Sequence, residues 1–145
     1  MASRPVALIT GSARRLGRAI ALDLAGHGWD IALHCRSSEA EAQATLAEVL
    51  ALGAGAATFR ADLADEQACR GLLPAVLRHF GSVQAVVNNA ALFEHDDVLS
   101  FGHASMERHW RANVAPAVLL AQALHSHLQH GEGRGCVVNL LDQKL

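Results

Sequence analysis

The chain has 145 residues, of which 51% are hydrophobic and 18% are charged, and its formal net charge is −2 at pH 7. A chain of this length can bury roughly two-thirds of its unfolded surface, so we expect a single domain with one core. The nearly balanced charge argues against nucleic acid or an anionic membrane as the main partner. No segment approaches the ~18 apolar residues of a membrane span, and the apolar run near the N-terminus is too short for a signal peptide.

The cysteines and histidines do not form ligand patterns. The cysteines are widely spaced, without a C-x-x-C motif, at Cys35, Cys69 and Cys136. We therefore expect free thiols in a reducing, cytoplasmic compartment. The spacing of His125, His127 and His130 does not support a metal site, because residues at i and i+2 diverge on a helix and no cysteine or carboxylate completes a ligand set. We expect no metal site.

The first motif lies in residues 6–25, which read VALITGSARRLGRAIALDLA. The apolar run at Val6–Ile9 is typical of a parallel strand that is buried on both faces. From Leu16 onward, apolar residues recur at helical spacing. A strand, a glycine turn and a helix in this order present free N–H groups and the positive end of a helix dipole, so we expect an anion at the turn.

The glycines of this turn indicate a dinucleotide. Gly11 would allow a tight turn, and Gly17 would let the helix pack closely on the sheet. These are two of the three glycine roles in a dinucleotide-binding unit. Arg15 stands where the middle glycine would be.

The rest of the chain alternates strands and helices, without repeats or low-complexity linkers. We predict strands at 29–35, 56–60, 83–88 and 135–141, and helices at 39–52, 66 to about 80 with Asp65 as a cap, and 105 to about 129. Right-handed strand–helix–strand units give a parallel sheet with helices on both faces. We expect a doubly wound α/β (Rossmann) fold with strand order 3-2-1-4-5 and a ligand crevice above strands 1 and 4.

The end of the second strand bears on the choice of dinucleotide. A site for NAD needs a carboxylate there, whereas the 2′-phosphate of NADP needs a cation. This strand ends in His34, Cys35, Arg36, Ser37 and Ser38. Arg36 and the two serines, together with Arg14 or His34, would bind a phosphate, which predicts NADP(H). The alternative is that Arg36 is a solvated surface residue and that the serines cap the next helix.

Three segments together carry a family resemblance: the TGSARRLG turn, Asn88 to Ala90 after a later strand, and Asn113 inside a later helix. With these, the chain resembles the short-chain dehydrogenase/reductase superfamily over essentially its whole length. Arg15 makes the turn similar to that of the pteridine reductases. The resemblance implies one NADP-binding domain over residues 1–145 and a small-molecule substrate.

The resemblance also implies roles along the crevice. Asp62, followed by Leu63, resembles the aspartate that touches the adenine ring, although a turn residue is the alternative. Ala91 stands where the pteridine reductases usually carry serine, so a hydrogen bond made by that serine would be absent. The cofactor-binding residues expected from pattern and resemblance are Gly11, Arg14, Arg15, Leu16, Gly17, His34, Arg36, Ser37, Ser38, Asp62, Leu63, Asn89, Ala90 and Ala91.

For the substrate, the resemblance points to Phe93 and Arg15. Phe93 matches the aromatic residue that stacks a flat substrate ring against the nicotinamide, and the alternative is a core phenylalanine.

Two residues are expected at the catalytic end. Asn113 matches the asparagine whose backbone carbonyl holds a water in the proton relay. The missing N–H of Pro116 leaves a carbonyl near Ala112 without its helical partner, which predicts a local distortion. Asp142 matches an aspartate of the pteridine reductases, and a turn residue is the alternative.

The chemistry that the resemblance implies is hydride transfer to a pterin-like or carbonyl substrate. A tyrosine in a Y-x-x-x-K motif supplies the proton in the family, but this sequence contains no tyrosine. We interpret the chain as the N-terminal, cofactor-binding part of a reductase and expect it to be inactive alone. A binding module without turnover and a truncation product remain alternatives. An open fifth strand would favour a homo-oligomer.

Overall fold

A computed structural model of the chain describes residues 3–131 and 133–141. Five parallel strands form one sheet in the order β3-β2-β1-β4-β5, which confirms the predicted topology. The elements are β1 (Val6–Ile9), α1 (Arg15–Gly26), β2 (Asp30–Cys35), α2 (Glu39–Ala51), β3 (Ala56–Arg60), α3 (Glu66–Phe80), β4 (Ala85–Asn88), α4 (His103–His109), a π-helical segment (Trp110–Val114), α5 (Ala115–Leu128) and β5 (Cys136–Asn139).

The two faces of the sheet are covered by different helices. Along β1, Val6 and Leu8 belong to the core formed with α3 and α5, whereas Ala7 and Ile9 belong to the core formed with α1 and α2. All four are at most 3% exposed. Because successive side chains of a strand point to opposite faces, an uninterrupted apolar run is what a central parallel strand requires.

The predicted helix from residue 105 to about 129 is not continuous. It begins two residues earlier, at His103, and a π-helical segment separates α4 from α5. Pro116, at the start of α5, has no N–H to donate, and the amide of Ala115 donates to the carbonyl of Trp110, five residues back. The distortion expected from Pro116 therefore takes the form of one π turn immediately before it.

The predicted cap of α3 is confirmed, and the thiols of the three cysteines are unpaired. The side chain of Asp65 caps α3 by accepting a hydrogen bond from the amide of Ala68 at 2.7 Å. Cys35, Cys69 and Cys136 are free thiols, and the first two are buried. In the described residues, no helix is long and apolar enough to cross a membrane. No cluster of three potential metal ligands occurs in that part of the chain.

Gly17 is the point at which α1 approaches the turn after β1. A Cβ on Gly17 would lie 2.2 Å from the carbonyl oxygen of Gly11 and 2.6 Å from Nδ2 of Asn89. Both distances are far below van der Waals contact, so the close packing expected of this glycine is a steric requirement.

We expect Gly17→Ala to lower the free energy of unfolding by about 2 kcal/mol or more, because the helix must move away from the turn. Chemical denaturation measures this difference. Gly71→Ala is the matched control, since Gly71 lies on the exposed side of α3 and an added Cβ there has nothing within 4 Å. It should raise the free energy by about 0.5–1 kcal/mol. Equal effects of the two substitutions would show that the contact at Gly17 is not tight.

Candidate dinucleotide site

A cavity of about 490 Å³ lies at the carboxyl ends of the strands, where the turn after β1 meets the segments that follow β2, β3 and β4. This is the edge of a doubly wound sheet at which ligands bind. Most of the residues predicted for the cofactor line it: Gly11, Arg14, His34, Arg36, Ser37, Ser38, Asp62, Leu63, Ala90 and Ala91.

Other predicted residues lie beside the cavity rather than in its wall. Arg15, Leu16 and Gly17 form the first turn of α1, at its rim. Asn89 lies beneath the wall, where it connects the loop after β4 to the turn after β1. Asp142 lies outside the described residues.

The start of α1 offers free backbone amides. The first hydrogen bond of the helix runs from the amide of Arg18 to the carbonyl of Arg14, at 3.3 Å. The amides of Arg15, Leu16 and Gly17 therefore have no carbonyl one turn back. Among the described residues, no side chain caps this helix, and its first turn has no acidic residue. The helix start therefore has the N–H groups and the positive dipole end that bind phosphate groups.

Arg15, which stands where the motif would have its middle glycine, has a backbone conformation that glycine favours. Its φ is +53°, in the left-handed region that glycine adopts readily. For a residue with a side chain, this conformation costs of the order of 1 kcal/mol. In the described part of the chain, no other residue besides glycine has a positive φ. The helix start thus carries a guanidinium at a position whose backbone conformation favours glycine.

Thr10 and Asn89 join the turn to the loop after β4. The hydroxyl of Thr10 accepts hydrogen bonds from the amides of Asn89 and Ala90 at 2.9 and 3.0 Å. The side-chain amide of Asn89 donates to the carbonyls of Thr10 and Gly11 at 3.1 and 3.0 Å. From the sequence alone, Thr10 was assigned no role beyond its place in the TGSARRLG turn. Its position directly before the glycine turn is the signal that could have identified it.

His34 has a different role from the one expected. Its side chain was expected to help bind a phosphate, but the residue is only 2% exposed. Nδ1 accepts a hydrogen bond from the amide of Gly11 at 3.0 Å, and Nε2 lies 2.9 Å from the carbonyl oxygen of Ala61. Burial lowers the pKa of the imidazole. Both ring nitrogens are thus engaged with the backbone, and neither is left for a phosphate.

The end of β2 is cationic, as predicted. Arg14 and Arg36 are exposed and line the cavity, and neither belongs to an ion pair among the described residues. Arg108, also in the wall, is instead paired with Glu94 at 2.9 Å. Ser38 precedes α2 without making a side-chain capping hydrogen bond. The capping alternative is therefore wrong for Ser38, whose hydroxyl is left for other partners.

Arg60 supports this cationic segment and was missed by sequence reasoning. Its Nε donates to the carbonyl of Arg36 at 3.1 Å, and its Nη1 donates to Oε1 of Glu39 at 2.7 Å. Arg60 thereby holds the backbone that carries Arg36. The signal that could have identified Arg60 is the register of the sheet, because Arg60 pairs with Cys35, the residue before Arg36.

For Asp62 the alternative was a turn residue, and for Phe93 it was a core residue. Oδ1 of Asp62 accepts a hydrogen bond from the amide of Ala64 at 3.0 Å, which is turn geometry, although the residue also lines the cavity. Phe93 is 70% exposed, so the core alternative is wrong. Its ring stands edge-on to His95, with the ring centroids 5.2 Å apart.

Asn113 lies in the π-helical segment and holds the loop after β4. Its Oδ1 accepts from the amide of Leu92 at 2.7 Å, and its Nδ2 donates to the carbonyl of the same residue at 2.8 Å. One side chain therefore satisfies both backbone groups of Leu92, a residue of the cavity wall. The side chain of Asn113 has a structural contact, and its role in a proton relay stays an expectation.

Residues 5–141 match the family model described as short chain dehydrogenase. The chain belongs to this family. It is 33% identical over 135 residues to an uncharacterized oxidoreductase of Methylorubrum extorquens, covering 93% of this chain and 53% of the relative. It is 30% identical to the L-rhamnose 1-dehydrogenase (NAD(P)(+)) of a Sphingomonas species, covering 90% of this chain and 52% of the relative.

Solved structures of the short-chain dehydrogenase family agree with this assignment. FolM alternative dihydrofolate reductase 1 from Brucella suis, crystallised with NADP, has a TM-score of 0.88 and 36% identity, covering 96% of this chain and 57% of that one. A short chain dehydrogenase from Burkholderia cenocepacia, also with NADP, has a TM-score of 0.85 and 35% identity, covering 93% and 54%. The chain therefore spans about half the length of these relatives.

The contacts of Thr10 generate a prediction. We expect Thr10→Val to lower the free energy of unfolding by about 2 kcal/mol, because the amides of Asn89 and Ala90 lose their acceptor. Thr10→Ser keeps the hydroxyl and should lose less than about 1 kcal/mol. Urea denaturation of both variants measures the difference. Equal losses would mean that the hydroxyl is not what connects the loop to the turn.

Proposed function

We propose that this chain is the NADP(H)-binding part of a reductase that transfers a hydride to a pterin-like or small carbonyl substrate. The observation that carries this proposal is the start of α1, where free amides lie beside arginines that have no carboxylate partner in the described residues. Phosphate groups need both features, and a carboxylate at the end of β2 would have opposed a 2′-phosphate.

The residues present fit a phosphorylated dinucleotide. The amides of Arg15, Leu16 and Gly17 would bind the pyrophosphate, and Arg36 with Ser37 and Ser38 would bind the 2′-phosphate. NADPH, when bound, supplies the hydride. The Brucella and Burkholderia structures are complexes with NADP, which supports this choice over NAD.

Several further residues of the cavity would contact the cofactor or leave space for the turn that binds it. Leu63, Ala90 and Ala91 lie in the cavity wall, and Asp62 would contact the adenine ring. Ala90 lies close to the turn, since a Cβ on Gly11 would be only 3.0 Å from the Cα of Ala90. A small residue is therefore needed there. Arg14 would contribute charge beside the phosphates.

A pterin-like substrate is supported by two observations. One similar structure is named an alternative dihydrofolate reductase, and dihydrofolate contains a reduced pterin ring. Phe93 is exposed and could stack on such a ring, with a contribution of about 0.5–1.5 kcal/mol beyond burial. Arg15, at the start of α1, is the second proposed substrate contact. Asn113 and Asp142 are the proposed catalytic residues.

A second candidate is an NADP-binding module without turnover. The sequence contains no tyrosine, so the proton donor of the family is absent from this chain. NADPH fluorescence tests both candidates, and absence of binding contradicts both and leaves a truncation product. Because the chain is expected to be inactive alone, turnover of dihydrobiopterin is assayed after the chain is joined to the tyrosine-bearing second half of a related reductase. Turnover then supports the reductase, whereas binding without turnover supports the module.

The choice of NADP(H) over NAD(H) is tested by reversing the charge of Arg36. We expect Arg36→Asp to weaken NADPH binding by about 30-fold or more and NADH binding by less than about threefold, because only NADPH carries the 2′-phosphate. Fluorescence titration gives both dissociation constants. The control is Arg78→Asp at the exposed end of α3, which should change neither. Equal losses for the two nucleotides at Arg36 would refute the assignment.

We also propose that the protein is located in the cytoplasm, because free thiols are typical of a reducing compartment.

We further propose that the chain self-associates. All of β5 is exposed at the edge of the sheet. Exposed apolar residues lie on it and just after it: Val137, Val138, Leu140 and Leu141. Unpaired strand edges favour association. Light scattering should therefore give a mass above 15.3 kDa. A stable monomer would argue against association.

A further inference from the structure

His34 connects three parts of the floor of the cavity. Its ring accepts a hydrogen bond from the amide of Gly11 and contacts the carbonyl of Ala61, at 3.0 and 2.9 Å. Its own backbone amide donates to the hydroxyl of Ser12 at 3.0 Å, and its carbonyl accepts from the amide of Ser12 at 3.0 Å. The turn after β1, the end of β2 and the segment after β3 therefore meet at one buried histidine.

The two ring contacts define the protonation state of His34. The carbonyl of Ala61 can only accept, so Nε2 must carry the proton. The amide of Gly11 can only donate, so Nδ1 must be unprotonated. A second proton on Nδ1 would point an N–H group at the N–H group of Gly11. Only the neutral ring with its proton on Nε2 satisfies both partners.

We propose that His34 is a proton-sensitive positioning residue, which holds the phosphate-binding turn in place when it is neutral and releases the turn when it is protonated. The ring does not contact the dinucleotide itself, because its nitrogens are engaged with the backbone. It acts through Gly11, whose turn leads directly into the free amides of α1. This inference rests on the proposed function, since it concerns binding of NADP(H) at that helix start.

The surroundings of His34 determine the direction of the pH dependence. Burial lowers the pKa of the ring, and the hydrogen bond to the carbonyl of Ala61 and the charge of Asp62 only partly oppose that shift. The ring is therefore neutral at pH 7 and becomes charged only as the pH falls below the ordinary pKa of histidine, ~6.5. Binding is expected to be intact above that range and to weaken below it. The other charged or titratable residues lining this cavity are Arg14, Cys35, Arg36, Glu94, Arg108 and Arg111.

Two substitutions separate the contacts of the ring. His34→Asn places an oxygen where Nδ1 was, so it can keep the hydrogen bond from Gly11 and cannot be protonated. His34→Gln places an N–H group where Nε2 was, so it can keep the bond to Ala61 and loses the acceptor for Gly11. We expect His34→Gln to weaken NADPH binding about tenfold and His34→Asn to stay within about threefold of the wild type. The reverse order would overturn the proposal.

The pH profile is a readout that a purely structural role would not move. NADPH dissociation constants of the wild type and His34→Asn are measured from about pH 8 to about pH 5. The ratio of the wild-type dissociation constant to that of His34→Asn cancels the titration of the 2′-phosphate. This ratio should rise as the pH falls. The matched control is His127→Gln, because Nε2 of His127 accepts a backbone hydrogen bond from the amide of Val83 at 3.3 Å, away from the cavity, and a glutamine oxygen can take the place of Nε2. A ratio for His34→Asn that does not change with pH would contradict the proposal.

A measurement without nucleotide separates this inference from the proposed function. Nitrogen-15 NMR of the wild type should show the tautomer with its proton on Nε2. The protection of the Gly11 amide from hydrogen exchange should fall, relative to that of Thr10, as the pH is lowered. Another tautomer or constant relative protection would overturn the role of His34, even if a variant fails to fold. If the NMR results are as expected but the chain does not bind NADPH, the role of His34 in the turn is retained and the proposed function is rejected.

Discussion

The site depends on the way in which the turn at Gly11 is held by the elements around it. The amide of Gly11 donates to the ring of His34, and its carbonyl accepts from the side chain of Asn89. Gly17 and Ala90 leave so little space around Gly11 that an added Cβ on either glycine would come within 3.0 Å of its neighbours. Because buried backbone groups must find partners, each of these contacts also stabilises the fold.

The polar groups at the top of the sheet fall into two sets with different consequences. Those nearest the strands, on Thr10, His34 and Asn89, are engaged with backbone partners and form a rigid floor. Those above the floor, at the start of α1 and on Arg14 and Arg36, have no such partners among the described residues. Groups that are preorganised but unsatisfied are suited to binding an anion, because little reorganisation opposes its arrival.

Side-chain hydrogen bonds also hold the loop after β4, on the other side of the cavity. The π turn before Pro116 lines the cavity with Arg111 and Ala112, and it carries Asn113, whose side chain holds Leu92 at both polar groups. The loop after β4 is therefore held at Asn89 and Ala90 by Thr10 and at Leu92 by Asn113. The exposed Phe93 follows directly after the second of these attachments. A substrate-contacting role for Phe93 would thus rest on a loop whose base is well supported.

The sequence by itself determined the strands, most of the helices and the location of the cavity, because apolar runs, helical spacing, a capping residue and glycine turns are local signals. The right-handed connections between parallel strands then gave the strand order. The division of the helix after β4 into α4, a π turn and α5 was predicted only as a local distortion at Pro116. The sequence also placed Arg36 and the serines at the end of β2. Only the tertiary structure decided which polar side chains are engaged. His34 and Arg60 depend on partners 27 and 24 residues away, Ala61 and Arg36. Such pairs depend on strand register and burial, which emerge only when the sheet has formed, and composition or spacing cannot reveal them.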